Sequence, residues 1–243
     1  HMELTTCNIL GTEILVTDMK KTVALIEEHI GELRGNYICV GNVHTTVTAH
    51  DDAHYHTVQK EAAFVLPDGK PLSVYSRKHG YAEARRVTGP DLMLALFARD
   101  NGLSHYFYGS SEETLAMLRE KLERQYPGLK IAGMVSPPFR PLSEKEDADA
   151  VHAINESGAD IIWVGLGAPK QENWMYDHKG RVGGVMIGVG AGFDYHAGNI
   201  KRAPAWMQKL SLEWLYRLAQ DPKRLFKRYL VTNTRYLYLI HKK

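Results

Sequence analysis

The stretch Ile161–Trp174, IIWVGLGAPKQENW, decides the fold. Ile161, Ile162, Trp163 and Val164 form an unbroken apolar run, which predicts a strand buried on both faces. Gly165, Gly167 and Ala168 let the backbone turn tightly and approach a ligand closely. Pro169 suits the first position of a helix, where its missing N–H is not needed. Lys170, Gln171 and Glu172 fill the first helical turn, and Trp174 opens an apolar face. A strand, small-residue turn and helix start of this kind present free N–H groups and a positive dipole end, often to a phosphate. An ordinary βα turn has the same pattern, but the polar donors of Lys170 and Gln171 exceed what a structural turn requires.

The same rhythm extends outward. Tyr37–Val40, Ala63–Leu66, His105–Tyr108, Leu129–Met134 and Val185–Val189 read as further strands, with helical stretches between most of them. Ile9–Val16 reads as a strand or hairpin. Thr17 reads as the cap of a helix from Asp18 to Ile30, and Ser143–Ser157 as a charged helix. The alternation predicts an α/β fold, a Rossmann-like parallel sheet with helices on both faces. Residues 3–200 make the catalytic core, and residues 201–243 a basic, amphipathic C-terminal helical appendage.

Composition narrows the function. The chain has 243 residues, 44% hydrophobic and 24% charged, and no apolar run near the roughly 20 residues a bilayer span needs. His1-Met2 reads as a cloning remnant, and no signal peptide is apparent. Cys7 and Cys39 make no disulfide framework, which suits a reducing cytoplasm. The net charge of +2 is unevenly spread. From Lys201 onward, 11 Lys and Arg face only Glu213 and Asp221, giving +9 and leaving −7 on the residues before. A basic tail on an acidic body predicts an anionic partner. Within it, Trp206 to Leu218 recur at helical spacing. Lys223–Tyr238 then mixes cations with large apolar residues, as a membrane-surface helix does; a docked C-terminal helix with a solvated basic face is the alternative.

Several polar residues follow predicted strands, where α/β sheets bind ligands. Asn42 follows Gly41, and Asp68 lies in Pro67-Asp68-Gly69. Arg85–Asp91 is a basic loop before the Leu92–Ala98 helix, in which an anion contact by Arg86 and a solvated arginine are equal readings. Turn or capping roles account equally for Asn42, and Pro-Asp-Gly is a good turn by itself. His50, His54 and His56 with Asp51 and Asp52 could suit zinc, but a solvated helix face is the stronger reading. Asp147-Ala148-Asp149 formally matches a metal–nucleotide motif but lies in a charged helix, and reads as surface. Gly188, Gly190 and Gly192 do not make the GxGxxG of a nicotinamide site.

Six motifs occur together and in order: PDG (Pro67–Gly69), RVTGPD (Arg86–Asp91), GAPKQE (Gly167–Glu172), GVGAGFD (Gly188–Asp194), KRAP (Lys201–Pro204) and LEWLYRL (Leu212–Leu218). In these the chain resembles the WecG/TagA/CpsF glycosyltransferases (family 26) over nearly its whole length. The resemblance implies a bacterial enzyme that moves a sugar, with inversion, from a UDP-sugar donor to a lipid-linked undecaprenyl-diphosphate saccharide. Teichoic acid, common antigen and exopolysaccharide synthesis use such steps. It implies Asp68 as general base. Asn42, Arg86, Gly167, Lys170, Gln171 and Asp194 would line the donor pocket, with Arg217, Arg224 and Arg228 on the diphosphate. No metal or other cofactor is implied. The enzyme would sit on the cytoplasmic membrane surface, without nucleic acid and with scope for a homo-oligomer. Two departures bear on the sugar. The teichoic-acid branch has Thr where this chain has Val40, and Gly-Tyr-Phe near Ser136–Pro141. The donor is thus left open between N-acetylmannosamine and glucose or another hexose.

Chemistry agrees with these roles. Inverting transfer needs a carboxylate to take the acceptor hydroxyl proton, and positive charge or N–H donors on the departing UDP. Two other readings compete: a nucleotide-dependent α/β enzyme of another reaction class, and a non-catalytic membrane-surface adaptor.

Overall fold

A computed structural model describes residues 2–210 and 212–242. In chain order the first elements are β1 (Thr6–Ile9), β2 (Thr12–Leu15), α1 (Met19–Glu28), α2 (Ile30–Leu33), β3 (Tyr37–Gly41), α3 (Val43–Asp51) and α4 (Ala53–Lys60). There follow β4 (Phe64–Pro67), α5 (Lys70–Lys78), α6 (Gly89–Phe97), β5 (Ser104–Gly109), α7 (Glu112–Gln125), β6 (Lys130–Val135) and α8 (Glu144–Glu156). The chain continues through β7 (Ile161–Gly165), α9 (Lys170–His178), β8 (Val185–Gly188) and α10 (Gly192–Ala197). It ends in α11 (Ala205–Lys209), α12 (Glu213–Gln220) and α13 (Pro222–His241).

The strands form one sheet in the order β1-β2-β4-β3-β8-β7-β5-β6. Only the β1–β2 hairpin is antiparallel, and every other neighbouring pair is parallel. The predicted α/β sheet with helices on both faces is what forms. Strand β7 shows why. Its side chains alternate between two cores, with Ile161 and Trp163 in one and Ile162 and Val164 in the other. Helices α1, α6, α7 and α10 cover the first core, while α3, α4, α5, α8 and α9 cover the second. Both faces of the strand must therefore be apolar, and the period-two signal disappears. Trp163 is fully buried and donates its Nε1–H to His105 Nδ1 at 3.0 Å. Burial pushes the His105 imidazole down to about 4, which leaves that nitrogen free to accept.

Local signals set most helix starts. Ser143 and Glu146 form a reciprocal capping box on α8. Asp18, rather than Thr17, caps α1: its carboxylate accepts from the Lys21 N–H at 2.7 Å. Thr17 instead turns inward, its hydroxyl bonding Thr22 Oγ1 at 2.9 Å. Pro169 stands at the N-cap of α9, one position before the first helical residue, Lys170, rather than at that first position as expected.

The periodic stretch from Trp206 to Leu218 is two short helices, not one. Helix α11 ends at Lys209 and α12 starts at Glu213. The interruption brings Glu213 onto Arg86 of the core and onto Arg202, just before α11. Helix α13 packs along α3 and α12. Tyr236 enters the second core beside Cys7, Ile9 and Leu72, and Arg235 grips Asp51 with paired contacts of 2.6 and 2.5 Å. Trp206, Leu210, Phe226, Leu230, Val231, Leu237 and Tyr238 remain exposed on these last helices. No helix among the described residues is long and apolar enough to cross a membrane.

Candidate functional site

The carboxyl ends of β3, β4, β7 and β8 open into one cavity of about 740 Å³. The C-terminal helices form its opposite wall, so residues far apart in the sequence share one cavity. Asn42, Asp68, Arg86, Gly167, Gln171, Asp194, Arg217, Arg224 and Arg228 all line this cavity. Lys170 does not. It is exposed at the first position of α9 and absent from the cavity wall.

Each core residue is held by its local geometry. Asn42 caps α3 and lines the cavity as well, so the two readings of it combine. Its Oδ1 accepts from the Thr45 N–H at 2.9 Å, and its own N–H donates to Thr45 Oγ1 at 2.9 Å. Asp68 follows the edge of β4, its N–H bonded to the Gly41 carbonyl at 2.7 Å. Its carboxylate has no hydrogen-bond partner among the described residues. Burial pushes that carboxyl up to about 7. Arg86 and Arg202 pull it down, and Glu213 and Asp91 push it up. A carboxylate poised there can take a proton near neutral pH.

Gln171 corrects the expectation of free N–H groups at the central turn. Its Oε1 accepts from Gly167 at 3.2 Å and from Gly190 at 3.0 Å. Both glycines have positive φ, +79° and +56°, which only glycine adopts readily. The turns after β7 and β8 are therefore tied together by a side chain instead of presenting bare amides to a phosphate. Glu172 points away from the cavity. It is buried and accepts the Tyr55 hydroxyl at 2.6 Å. Asp194 Oδ1 accepts from Asn199 Nδ2 at 3.3 Å and from Thr114 Oγ1 at 3.4 Å.

The opposite wall is cationic. Arg217 donates to the Tyr195 hydroxyl at 3.5 Å and lies 5.7 Å from that ring's centre. Arg224 pairs with Asp221 at 2.7 Å. Arg228 is half-buried, and its Nε has no partner among the described residues. Burial first, then the charges of Arg224 and Arg217, hold its pKa below the usual value. Burial and the Arg228 charge hold the nearby His44 imidazole down at about 4. Crowded arginines with an unsatisfied donor are the electrostatic complement of an anion.

Sequence reading missed four wall residues that matter: His44, Tyr195, Arg202 and Glu213. Glu213 accepts from Arg86 and, at 3.2 Å, from Arg202, which also reaches Asp91. The signal was present in KRAP and LEWLYRL, but nothing local says that the two motifs meet.

The histidine cluster does not converge. His50 bonds Asp51 at 3.0 Å, His56 bonds the Gly11 carbonyl at 3.0 Å, and His54 meets Tyr176 edge-on. Among the described residues no group of three or more His, Cys, Asp or Glu side chains could hold a metal ion. Asp147 is not idle surface, as the sequence suggested. It accepts from His178 Nε2 at 2.7 Å and Arg181 at 2.8 Å, anchoring α8 to the end of α9.

The chain is similar to known proteins over most of its length. An N-acetylglucosaminyldiphosphoundecaprenol N-acetyl-beta-D-mannosaminyltransferase of Bacillus spizizenii (strain ATCC 23059 / NRRL B-14472 / W23) is 31% identical over 199 residues, 81% of this chain and 76% of its own. The protein of that name from Bacillus subtilis (strain 168) is 31% identical over 212 residues, 86% of this chain and 81% of its own. The model of the glycosyl transferase WecG/TagA/CpsF family matches residues 7–243, a span that takes in both walls of the cavity. With both walls inside that match, the chain belongs to the WecG/TagA/CpsF family of glycosyltransferases.

Proposed function

We propose that the protein transfers a hexose or N-acetylhexosamine, with inversion, from a UDP-sugar to a saccharide on undecaprenyl diphosphate. The observation that carries this reading is one cavity whose wall holds both an unpartnered carboxylate, Asp68, and three arginines of the C-terminal helices, Arg217, Arg224 and Arg228. In the step, an acceptor hydroxyl oxygen forms a bond to the anomeric carbon. Its proton passes to Asp68, and the anomeric carbon–oxygen bond to UDP breaks with the electron pair on the leaving diphosphate. The arginines balance the charge that develops there, so the chain itself supplies what a divalent cation supplies elsewhere. Asn42, Arg86, Gly167, Gln171 and Asp194 shape the donor side. The names of the relatives favour N-acetylmannosamine as the sugar and a GlcNAc-diphospholipid as acceptor. Residues 201–243 close the site, and their exposed Trp206, Phe226 and Leu230, set among lysines and arginines, rest on an anionic membrane surface.

The test is UDP release from a panel of UDP-sugars with a short-chain lipid diphosphate-sugar acceptor, in EDTA, for wild type and Asp68→Asn. Acceptor-dependent release that survives EDTA and collapses in Asp68→Asn supports the reading. No release with any donor, together with no UDP binding by calorimetry, overturns it.

A further inference from the structure

The guanidinium of Arg86 is held by the C-terminal helices alone. Its Nη2 donates to Glu213 of α12 and its Nη1 to the Gln208 carbonyl of α11, while its Nε is buried without a partner. No core side chain or carbonyl binds it among the described residues. Yet Arg86 lies beside Asp68. The Val87 N–H bonds the Pro67 carbonyl at 2.9 Å, so the two residues stand on adjoining backbone segments of one cavity wall. A half-buried arginine next to an unpartnered carboxylate would ordinarily pair with it.

Glu213 is what stands against that pairing. It is shared by Arg86 and Arg202, and Arg202 is fixed from the far side by Asp91. We propose that Glu213 is a positioning residue for the transfer reaction: by holding Arg86, it keeps that guanidinium off Asp68 and leaves the carboxylate free to take the acceptor's proton. The proposal rests on the glycosyl-transfer reading of Asp68. It makes the seating of α12 a condition for a working base, not merely a cover over the substrate.

The charged groups facing Asp68 are Arg86, Asp91, Arg202 and Glu213. In Glu213→Gln one negative charge is lost and Arg86 is released, and both changes favour the ionised form of Asp68. A carboxylate locked in an ion pair is a weaker base, and general-base contributions of about 10²–10⁴-fold are at stake.

The experiment compares wild type, Glu213→Gln and Glu213→Asp in two measurements. The first is transfer kinetics at pH 8. The second is titration of the Asp68 carboxyl by carbon-detected NMR without substrate. In Glu213→Gln, kcat falls by about tenfold or more while the donor KM changes by less than about threefold. Its Asp68 midpoint drops, and Glu213→Asp recovers most of both. An unchanged kcat and midpoint in Glu213→Gln, with active wild type, overturn the proposal. So does a rise in KM alone, which would make Glu213 a substrate-binding or purely structural group. A wild type that transfers no sugar while the midpoint still drops in Glu213→Gln removes the functional reading instead, and leaves the link between Glu213, Arg86 and Asp68 standing.

Discussion

The side chain of Gln171, on the first turn of α9, accepts the N–H of Gly190 at 3.0 Å, fastening the turn after β7 to the turn after β8. The second contact, to Gly167, lets one amide oxygen set the spacing of two glycine turns on the cavity floor. In Gln171→Ala both N–H groups lose their acceptor at a largely buried place, which costs about 1–3 kcal/mol. Thermal unfolding should show that loss, and calorimetry a weaker grip on UDP. Gln171→Glu keeps an acceptor but adds negative charge, so it should retain stability better than it retains UDP binding.

Asp68 gives a prediction of opposite signs for activity and stability. Its folded pKa of about 7 lies above the ordinary carboxylate value, because burial penalises its charge. Activity should therefore rise as pH climbs through about 7 and level off above it. For stability, the folded state binds the proton more tightly than the unfolded state. The protein thus loses stability as pH rises from the unfolded pKa to the folded one. Asp68→Asn should abolish transfer yet raise Tm at pH 8, with the gain vanishing near pH 4. Paired melting curves at the two pH values check the sign.

The Asp147 network separates a structural acid from a metal ligand. Burial alone would push the Asp147 carboxyl up, but hydrogen bonds from His178 and Arg181 outweigh it and hold the carboxyl below its usual value. Asp147→Ala takes the acceptor from Nε2 of the buried His178 ring, while Nδ1 keeps the Trp174 carbonyl, and should cost about 1–3 kcal/mol. It lies outside the cavity wall, so kcat should stay within about threefold of wild type. A collapse in kcat, restored by added metal, would return this residue to the metal–nucleotide reading.

Tyr236 tests how firmly α13 is seated. The ring is buried in the second core, while its hydroxyl has no partner there. Removing that oxygen in Tyr236→Phe should raise stability by about 1 kcal/mol, the relief of one unsatisfied polar group. Tyr236→Ala should cost about 3–5 kcal/mol if the helix stays in place over the cavity left behind. A smaller cost accompanied by fast amide exchange along α13, and lost activity, would show the helix lifting off.

The fold was legible because its strongest signals are local. The apolar run of β7 and the capping boxes at Asn42 and Ser143 are set by a few adjacent residues. The position of Asn42 and Asp68 at strand ends was legible for a topological reason, since the carboxyl edge of a parallel sheet is where a cavity can open. What could not be read are contacts between distant segments. Nothing near Gln171 says that its oxygen will meet Gly190, and nothing near Glu213 says that it will meet Arg86. Lys170 and Gln171 look equally suited to a ligand in sequence, but adjacent helical residues point about 100° apart, and only one faces inward. The single periodic stretch over α11 and α12 hid a break, because apolar spacing is preserved across it.

The division of the cavity wall also has a consequence for the order of events in the cell. One half is built from residues 40–200, the other from residues 202–233, and the second half is anchored by Arg235 and Tyr236 of α13. Domains fold largely as they emerge from the ribosome, N-terminal parts first. The sheet can thus be complete while the arginine wall is still missing. Such a nascent chain would have a formed sheet and an open, inert pocket. On the glycosyl-transfer reading proposed above, a chain that stops before α13 lacks part of the arginine wall and is silent rather than misdirected.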